Sequence, residues 1–175
     1  MEKEISNLNN FLMLATEVLK TTQKDSRESI KYVYSDDERL VVTNGSILIT
    51  MDKTTENIAP GFYNIAKVGK ELTLMPSNFE GKYPNYKMIM PKYSSKPLTI
   101  AFTKTEYMEN LIKLQDIALK YCGGYVREQH FELLKKSEFI YEVIVPINPC
   151  GEDDIHPVLF KSNNIYVVVM PKPIK

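Results

Sequence analysis

"GKYPNYKMIMP" (81–91) sits near the middle of the chain, and its reading decides the fold. Two prolines, two tyrosines, two methionines and an isoleucine crowd into eleven residues. The segment has neither the 3.6-residue period of a helix nor the alternation of a half-buried strand. It reads as a connection between elements, yet it is stiffer and more apolar than a plain linker needs to be.

The elements on either side are easier to read. Before the segment, "NLNNFLMLATEVLK" (7–20) places Leu8, Phe11, Leu12, Ala15, Val18 and Leu19 at helical spacing, which predicts an amphipathic helix packed on a core. "SIKYVYS" (29–35), "RLVVT" (39–43) and "SILITM" (46–51) are β-branched and aromatic runs, hence strands. Asn44-Gly45 separates the last two as a hairpin turn, because both residues tolerate positive φ. "GFYNIAKV" and "ELTLM" predict a second hairpin turning near Gly69.

After the segment, "KPLTIAFT" (96–103) reads as a strand. Thr103 and Glu106 have capping-box spacing, and Tyr107, Leu111, Leu114, Ala118 and Tyr121 carry an apolar stripe that Gly123-Gly124 stops. A helix over 104–122 follows, then a short one within 125–136. Strands close the chain at 139–147, 156–162 and 165–171. Each half therefore shows a helix followed by strands, a loose duplication of a β-α-β-β unit. The expected class is α+β, with helices on one face of largely antiparallel sheet. The expected division is 1–91, including the connector, and 92–175, together one unit.

Composition excludes several function classes. The 175 residues are 43% hydrophobic and 25% charged, as in an ordinary globular protein. The 22 basic and 22 acidic side chains cancel, with 12 of each sign up to Ser95 and 10 of each after it. Global charge therefore gives no basis for strong nucleic-acid binding, although a local basic face is compatible with it. The N-terminus is polar and no run approaches the roughly 18 apolar residues that span a bilayer, so no membrane partner is expected. Cys122 and Cys150 are the only cysteines, which fits a cytoplasmic location.

Catalytic and metal motifs are absent from the sequence. There is no P-loop, G-x-G-x-x-G, G-x-S-x-G or H-E-x-x-H, and no nucleophile with a base in a motif context. His130 and His156 have no metal-ligand spacing with Cys122 or Cys150, and the acidic "GEDD" (151–154) reads as a solvated loop. No enzyme, cofactor or metal site is expected.

Three stretches remain: Thr43-Asn44-Gly45, Tyr83-Pro84-Asn85-Tyr86 with Ile89 and Pro91, and Val168-Val169-Met170-Pro171. In this order they resemble the bacterial DNA polymerase sliding clamp (β subunit) family. That family carries a T-D-G loop, an F/Y-P-D-Y-x-x-V-x-P connector and a terminal V-M-P run. The stretch "HPVLFKSNNIYVVVMP" also looks like the last hairpin of a clamp. Asn44 and Asn85 stand where the family has aspartates, the basic residue after the loop is absent, and Met88 aligns with a connector arginine. The span from Gly45 to Pro84 leaves no room for the helix a full clamp carries there.

The resemblance implies a shortened sliding-clamp-like fold of two abbreviated units. It also implies a cleft for a short peptide motif of DNA polymerase or other clients, walled by Thr43, Gly45, Pro84, Met88, Ile89, Val168, Met170, Pro171 and Ile174. A connector that walls such a groove must be both rigid and apolar. Clamps turn their helices to double-stranded DNA without reading its sequence, which would place Lys20, Lys24, Lys104, Lys113 and Lys120 towards phosphates. The implied protein is a homo-oligomeric processivity factor for DNA replication, economical enough in size for a virus or mobile element. Two other readings fit the same residues. One is a monomeric adaptor or decoy that binds client peptides without encircling DNA; the other is a structural protein reusing the fold.

Overall fold

The first helix forms where the apolar stripe predicts it. In the computed structural model, which describes residues 7–53, 57–101, 107–137, 140–151 and 154–174, α1 runs Asn7–Thr22. Phe11, Leu12, Leu14, Ala15 and Val18 are buried along one side. Truncating a side chain such as Leu14 to alanine should cost about 2–5 kcal/mol in lost transfer energy and cavity. The helix ends in hydroxyls that bond back to its own carbonyls: Thr21 Oγ1 to Val18 O and Thr22 Oγ1 to Leu19 O.

The chain divides into two compact units. The first comprises Met1–Asn85 with Asn163–Ile165, and the second Tyr86–Ser162 with Tyr166–Lys175.

In the first unit, a 3-10 turn (Glu28–Lys31) precedes β1 (Val33–Ser35), β2 (Arg39–Thr43), β3 (Ile47–Asp52), β4 (Gly61–Val68) and β5 (Glu71–Pro76). Their order across the sheet is β5-β4-β1-β2-β3, with antiparallel pairing throughout. α1 packs on β2, β3 and β5. Both expected hairpins are present, and Gly69 turns the second one. Arg39 and Asp52, directly opposite in the first hairpin, form an ion pair at 2.7 Å.

One expectation needs correcting. The strand expected over 29–35 begins only at Val33, because 28–31 winds as 3-10 helix. The buried residues are Ile30 and Val33, three apart, and one tight turn puts both on the core side where strand alternation would not.

Asn163–Ile165, the tip of a later hairpin, belongs with the first unit. Asp52 N donates to Asn164 O at 3.0 Å, and Asn164 Nδ2 donates to Asp52 O at 2.7 Å.

The second unit opens with a 3-10 turn (Tyr86–Met88), then β6 (Ser95–Ala101), α2 (Tyr107–Cys122), β7 (Gly124–Tyr125), α3 (Glu128–Lys136), β8 (Ile140–Pro146), β9 (Val158–Ser162), β10 (Ile165–Val169) and β11 (Lys172–Pro173). Its sheet runs β10-β9-β8-β6, with β8 antiparallel to both β6 and β9. The core gathers Leu114, Ala118 and Cys122 of α2, Phe131 and Leu134 of α3, and Tyr141, Val143, Phe160 and Val167 of the strands. The proposed capping box at Thr103 and Glu106 lies outside the described residues. No described helix is long and apolar enough to cross a membrane.

Candidate functional site

Three segments carry the candidate peptide site, and each is built by local chemistry. In the first unit, Thr43 ends β2 and its buried hydroxyl donates to Ile47 O at 2.8 Å while accepting from Gly45 N at 3.1 Å. Asn44 Oδ1 accepts from Ser46 N, Ser46 Oγ and Ile47 N at 2.9–3.1 Å, closing an Asx turn. An aspartate would accept the same three bonds. What it would lack is a donor: Asn44 Nδ2 reaches Thr21 Oγ1 at 2.8 Å, fastening the turn to the end of α1.

Gly45 has φ +90°, and a methyl there would come within 3.2 Å of an Arg27 guanidinium nitrogen. Arg27 is itself held in a fork by Asp25, with Nε to Oδ1 at 2.9 Å and Nη2 to Oδ2 at 2.8 Å. Those bonds hold the Asp25 carboxyl well below the usual carboxylate range. A cation thus lies over the turn even though no basic residue follows it in sequence. Arg27, eighteen positions upstream of Gly45, could be found only by folding the chain.

The connector is anchored by its tyrosines, one in each unit. Tyr83 is buried in the first, stacked on Tyr34 at 4.8 Å and tilted against Phe62 at 6.2 Å, within a cluster that also holds Tyr32 and Phe79. Burial raises its phenol pKa, opposed by the nearby Thr43 backbone, so the hydroxyl end of the ring lies close to the turn. Pro84 is half-buried and Asn85 exposed. Tyr86 is buried in the second unit and its carbonyl accepts from Ile89 N at 3.0 Å. Beyond it Met88 is 69% exposed and Ile89 is also exposed.

The third segment follows β10. Val168 is core and Pro171 is buried, whereas Met170 is 42% exposed and Ile174 more so. The tail is held by β11 pairing with β7, in register Lys172 with Tyr125 and Pro173 with Gly124. A methyl at Gly124 would sit 2.5 Å from Lys172 O, so only glycine lets the tail come this close. Gln115 of α2 braces the same spot from behind, exchanging hydrogen bonds with Val126 N (2.9 Å) and Val126 O (2.5 Å). This pairing has no local sequence signal, since 48 positions separate Gly124 from Lys172.

Within the first unit, then, Thr43 and Gly45 share the Asn44 turn, and the Tyr83 side chain, next to Pro84, reaches toward the Thr43 backbone. In the second, Met88, Ile89, Met170 and Ile174 present open apolar surface, and Val168 is closed off in the core.

The lysines are more scattered. Lys20 is exposed and paired with Glu17 at 2.6 Å; Lys24 is exposed just after α1. Lys104 lies outside the described residues. Lys113 and Lys120 are exposed on α2, but Glu109 and Asp116 are exposed there too, so that face is charge-balanced. Lys96, not singled out in the sequence, joins Lys120 around the Tyr121 ring at 3.9 Å and 5.2 Å, and its bonding lowers the Tyr121 pKa. Among the described residues no group of three His, Cys, Asp or Glu side chains gathers to hold a metal ion.

No model of a known protein family matches the sequence, and no curated protein matches it. Solved structures do. A DnaN sliding clamp (DNA polymerase III subunit beta) from Bartonella birtlesii bound to griselimycin superposes with TM-score 0.54 at 14% identity, over 95% of this chain and 64% of that one. The DNA polymerase III beta subunit of Thermotoga maritima gives 0.55 at 13%, over 96% and 64%. The Helicobacter pylori beta clamp bound to a DNA ligase peptide gives 0.54 at 12%, over 95% and 64%. The chain thus spans under two thirds of the length of these clamps. At such identities the likeness speaks for architecture alone, and the architecture is the sliding-clamp fold.

Proposed function

We propose that this chain is a shortened sliding-clamp-like processivity factor, non-enzymatic, that tethers a DNA polymerase or another client through a short peptide. Each of its units is one abbreviated clamp-like half. The observation that carries the reading is the connector itself. Tyr83 and Tyr86 are spent on anchoring, while Met88 and Ile89 beyond them stay open to solvent. A segment that only joined two units would gain by burying those side chains, at about 1.5–3 kcal/mol each when fully covered. Exposed apolar side chains on a stiffened segment suit a peptide with a leucine or aromatic anchor.

In this reading Thr43, Gly45 and Pro84 form one wall. Met88, Ile89, Met170, Pro171 and Ile174 form the other, with Val168 as packing beneath. Arg27 adds a cation for an acidic group of the client. The peptide seen with the Helicobacter clamp supplies a model ligand, and a labelled peptide of that kind should bind by fluorescence anisotropy. Encirclement has its own test. A homo-oligomeric ring would be retained on closed circular duplex DNA and lost when the circle is cut, whereas surface binding would survive cutting.

The monomeric adaptor or decoy is the second reading, favoured by the charge-balanced face of α2. It predicts the same peptide binding with no retention on the circle.

A further inference from the structure

The fold brings together the two thiols of this chain, which stand 28 positions apart in sequence. Cys122 is the last residue of α2 and is fully buried, its Sγ facing Pro157 O at 3.8 Å. Cys150 is half-buried in the connection between β8 and β9. Backbone bonds fasten that connection to the helix end at two points. Cys150 N donates to Lys120 O at 3.1 Å, and His156 N donates to Cys122 O at 3.1 Å. The Cys150 thiol itself bonds back to the carbonyls of Gly151, at 3.1 Å, and Asp154.

Gly123 shows how close the approach is. Its φ is +74°, and a methyl there would lie 2.9 Å from Cys150 Sγ and collide with Asp154 O. Cys150 is therefore held against residues 120 and 123, which flank Cys122 on either side. A disulfide needs its two Cα atoms about 4.4–6.8 Å apart, and this double anchorage keeps Cys150 in that neighbourhood of Cys122. The thiols also feel one another. Burial pushes Cys122 up to about 12 and Cys150 adds to it, while burial and Asp154 raise Cys150.

We propose that Cys122 and Cys150 form a redox site, oxidised by a small-molecule disulfide to an intramolecular disulfide that clasps the β8–β9 connection to the end of α2. Cys150, the more accessible thiol, reacts first. It gives its proton to solvent and attacks the oxidant as thiolate, forming a mixed disulfide and releasing one small thiol. Cys122 then gives up its proton and attacks the Cys150 sulfur, and the second small thiol leaves and is protonated. Two protein thiols are oxidised and one small disulfide is reduced to two thiols. An ordinary thiol, with a pKa of about 8.5, leaves more readily than the raised Cys150, which drives the second step towards the clasp. Both protein thiols stay protonated at neutral pH, so the clasp forms slowly there and faster as pH rises. From Cys122 the chain runs through Gly123 into β7, the strand that pairs with the tail at β11, so fixing Cys122 also steadies that pairing. The redox site stands without the peptide cleft and without the clamp reading.

The test uses the full chain, reduced and then incubated overnight under native conditions at pH 8 with oxidised glutathione. Intact mass should show the loss of two hydrogens with no glutathione retained. Digestion should release a Cys122–Cys150 linked peptide, and dithiothreitol should reverse both results. Closing a loop of this length should raise the melting temperature by about 5–10 °C. Amide hydrogen exchange in β7 and β11 should slow in the oxidised form. Cys122→Ala, which keeps the core apolar, should stop at one glutathione on Cys150, and Cys150→Ser should stay unmodified because Cys122 alone is sealed. The proposal is overturned if the parent stays reduced or stops at the glutathione adduct. It is equally overturned if the link forms only after unfolding or between two copies, or if melting and β7–β11 exchange are alike in the reduced and oxidised protein.

Discussion

Met170 is the sharpest single probe of the proposed peptide site. It directly follows β10, whose last three residues, Val167–Val169, are all buried, yet it is itself 42% exposed. A bound peptide can cover only that exposed part. Full burial of a methionine side chain is worth about 1.5–3 kcal/mol, so covering two fifths of it contributes roughly 0.6–1.3 kcal/mol. Met170→Ala should then weaken a labelled client-type peptide about threefold to ninefold. Met170→Glu should do more, because it leaves a polar group beneath the peptide at an added cost of about 1–3 kcal/mol. Together the losses exceed a factor of about ten in Kd. Folding should hardly notice: an exposed substitution changes stability by about 0.5 kcal/mol or less, a shift of no more than about 2 °C in a chain of this size. Anisotropy titrations and thermal melts of the three proteins, run side by side, decide the matter. Equal affinities for all three, or a Met170→Glu protein that unfolds, would refute the reasoning and leave these segments as connector and core.

Other consequences are quick to check. Asn44→Asp keeps the three acceptor bonds of the turn and loses only the donor to Thr21, so chemical denaturation should show a loss of about 0.5–1.5 kcal/mol, while Asn44→Ala should lose more. Burial pushes the Cys122 thiol up to about 12, and its side chain is sealed in the core, so alkylation at pH 8 followed by mass spectrometry should label Cys150 in the native protein and Cys122 only after unfolding. Burial, with Arg127 close by, lowers the His130 pKa from 6.5. The unfolded chain then binds the proton more readily, so His130 contributes stability that is present above about pH 6.5 and is lost as pH falls below it. Melts of His130→Gln should lack that part of the acid slope; an identical slope would remove His130 as its source.

Much of the fold was legible because most of it is decided locally. The stripe of α1 is a periodicity, and the β2–β3 and β4–β5 turns announce themselves in Asn44-Gly45 and Gly69. What stayed hidden depends on residues far apart in sequence. The 3-10 turn at Glu28–Lys31 looked like the start of a strand because "SIKYVYS" is rich in β-branched and aromatic residues. The core instead takes Ile30 with Val33. The pairing of Gly124–Tyr125 with Lys172–Pro173 rests on two backbones approaching closely, and Gly124 read only as a helix stop. The candidate site divided in the same way. Its segments were visible as motifs, but the cation over Gly45 comes from Arg27, whose position is fixed by a fork to Asp25.

The connector shows why a sequence can look overspent. Its residues answer to three demands within eleven positions. Tyr83 completes an aromatic cluster with Tyr34 and Phe62, so it must be large, flat and apolar. Tyr86 is buried in the other unit, and Pro84 between them restricts the backbone where the chain passes from one unit to the next. If anchoring were the whole demand, residues after Tyr86 would be free to turn polar. Met88 and Ile89 are not polar, and they are not buried. Exposed apolar side chains on a restrained backbone cost little backbone entropy when something covers them, which makes them better contacts than spacers. Replacing both with serine therefore separates the demands. The two anchoring tyrosines should keep the melt unchanged, while a client peptide should lose affinity; a lowered melting temperature with unchanged affinity would show that the connector serves the cores alone.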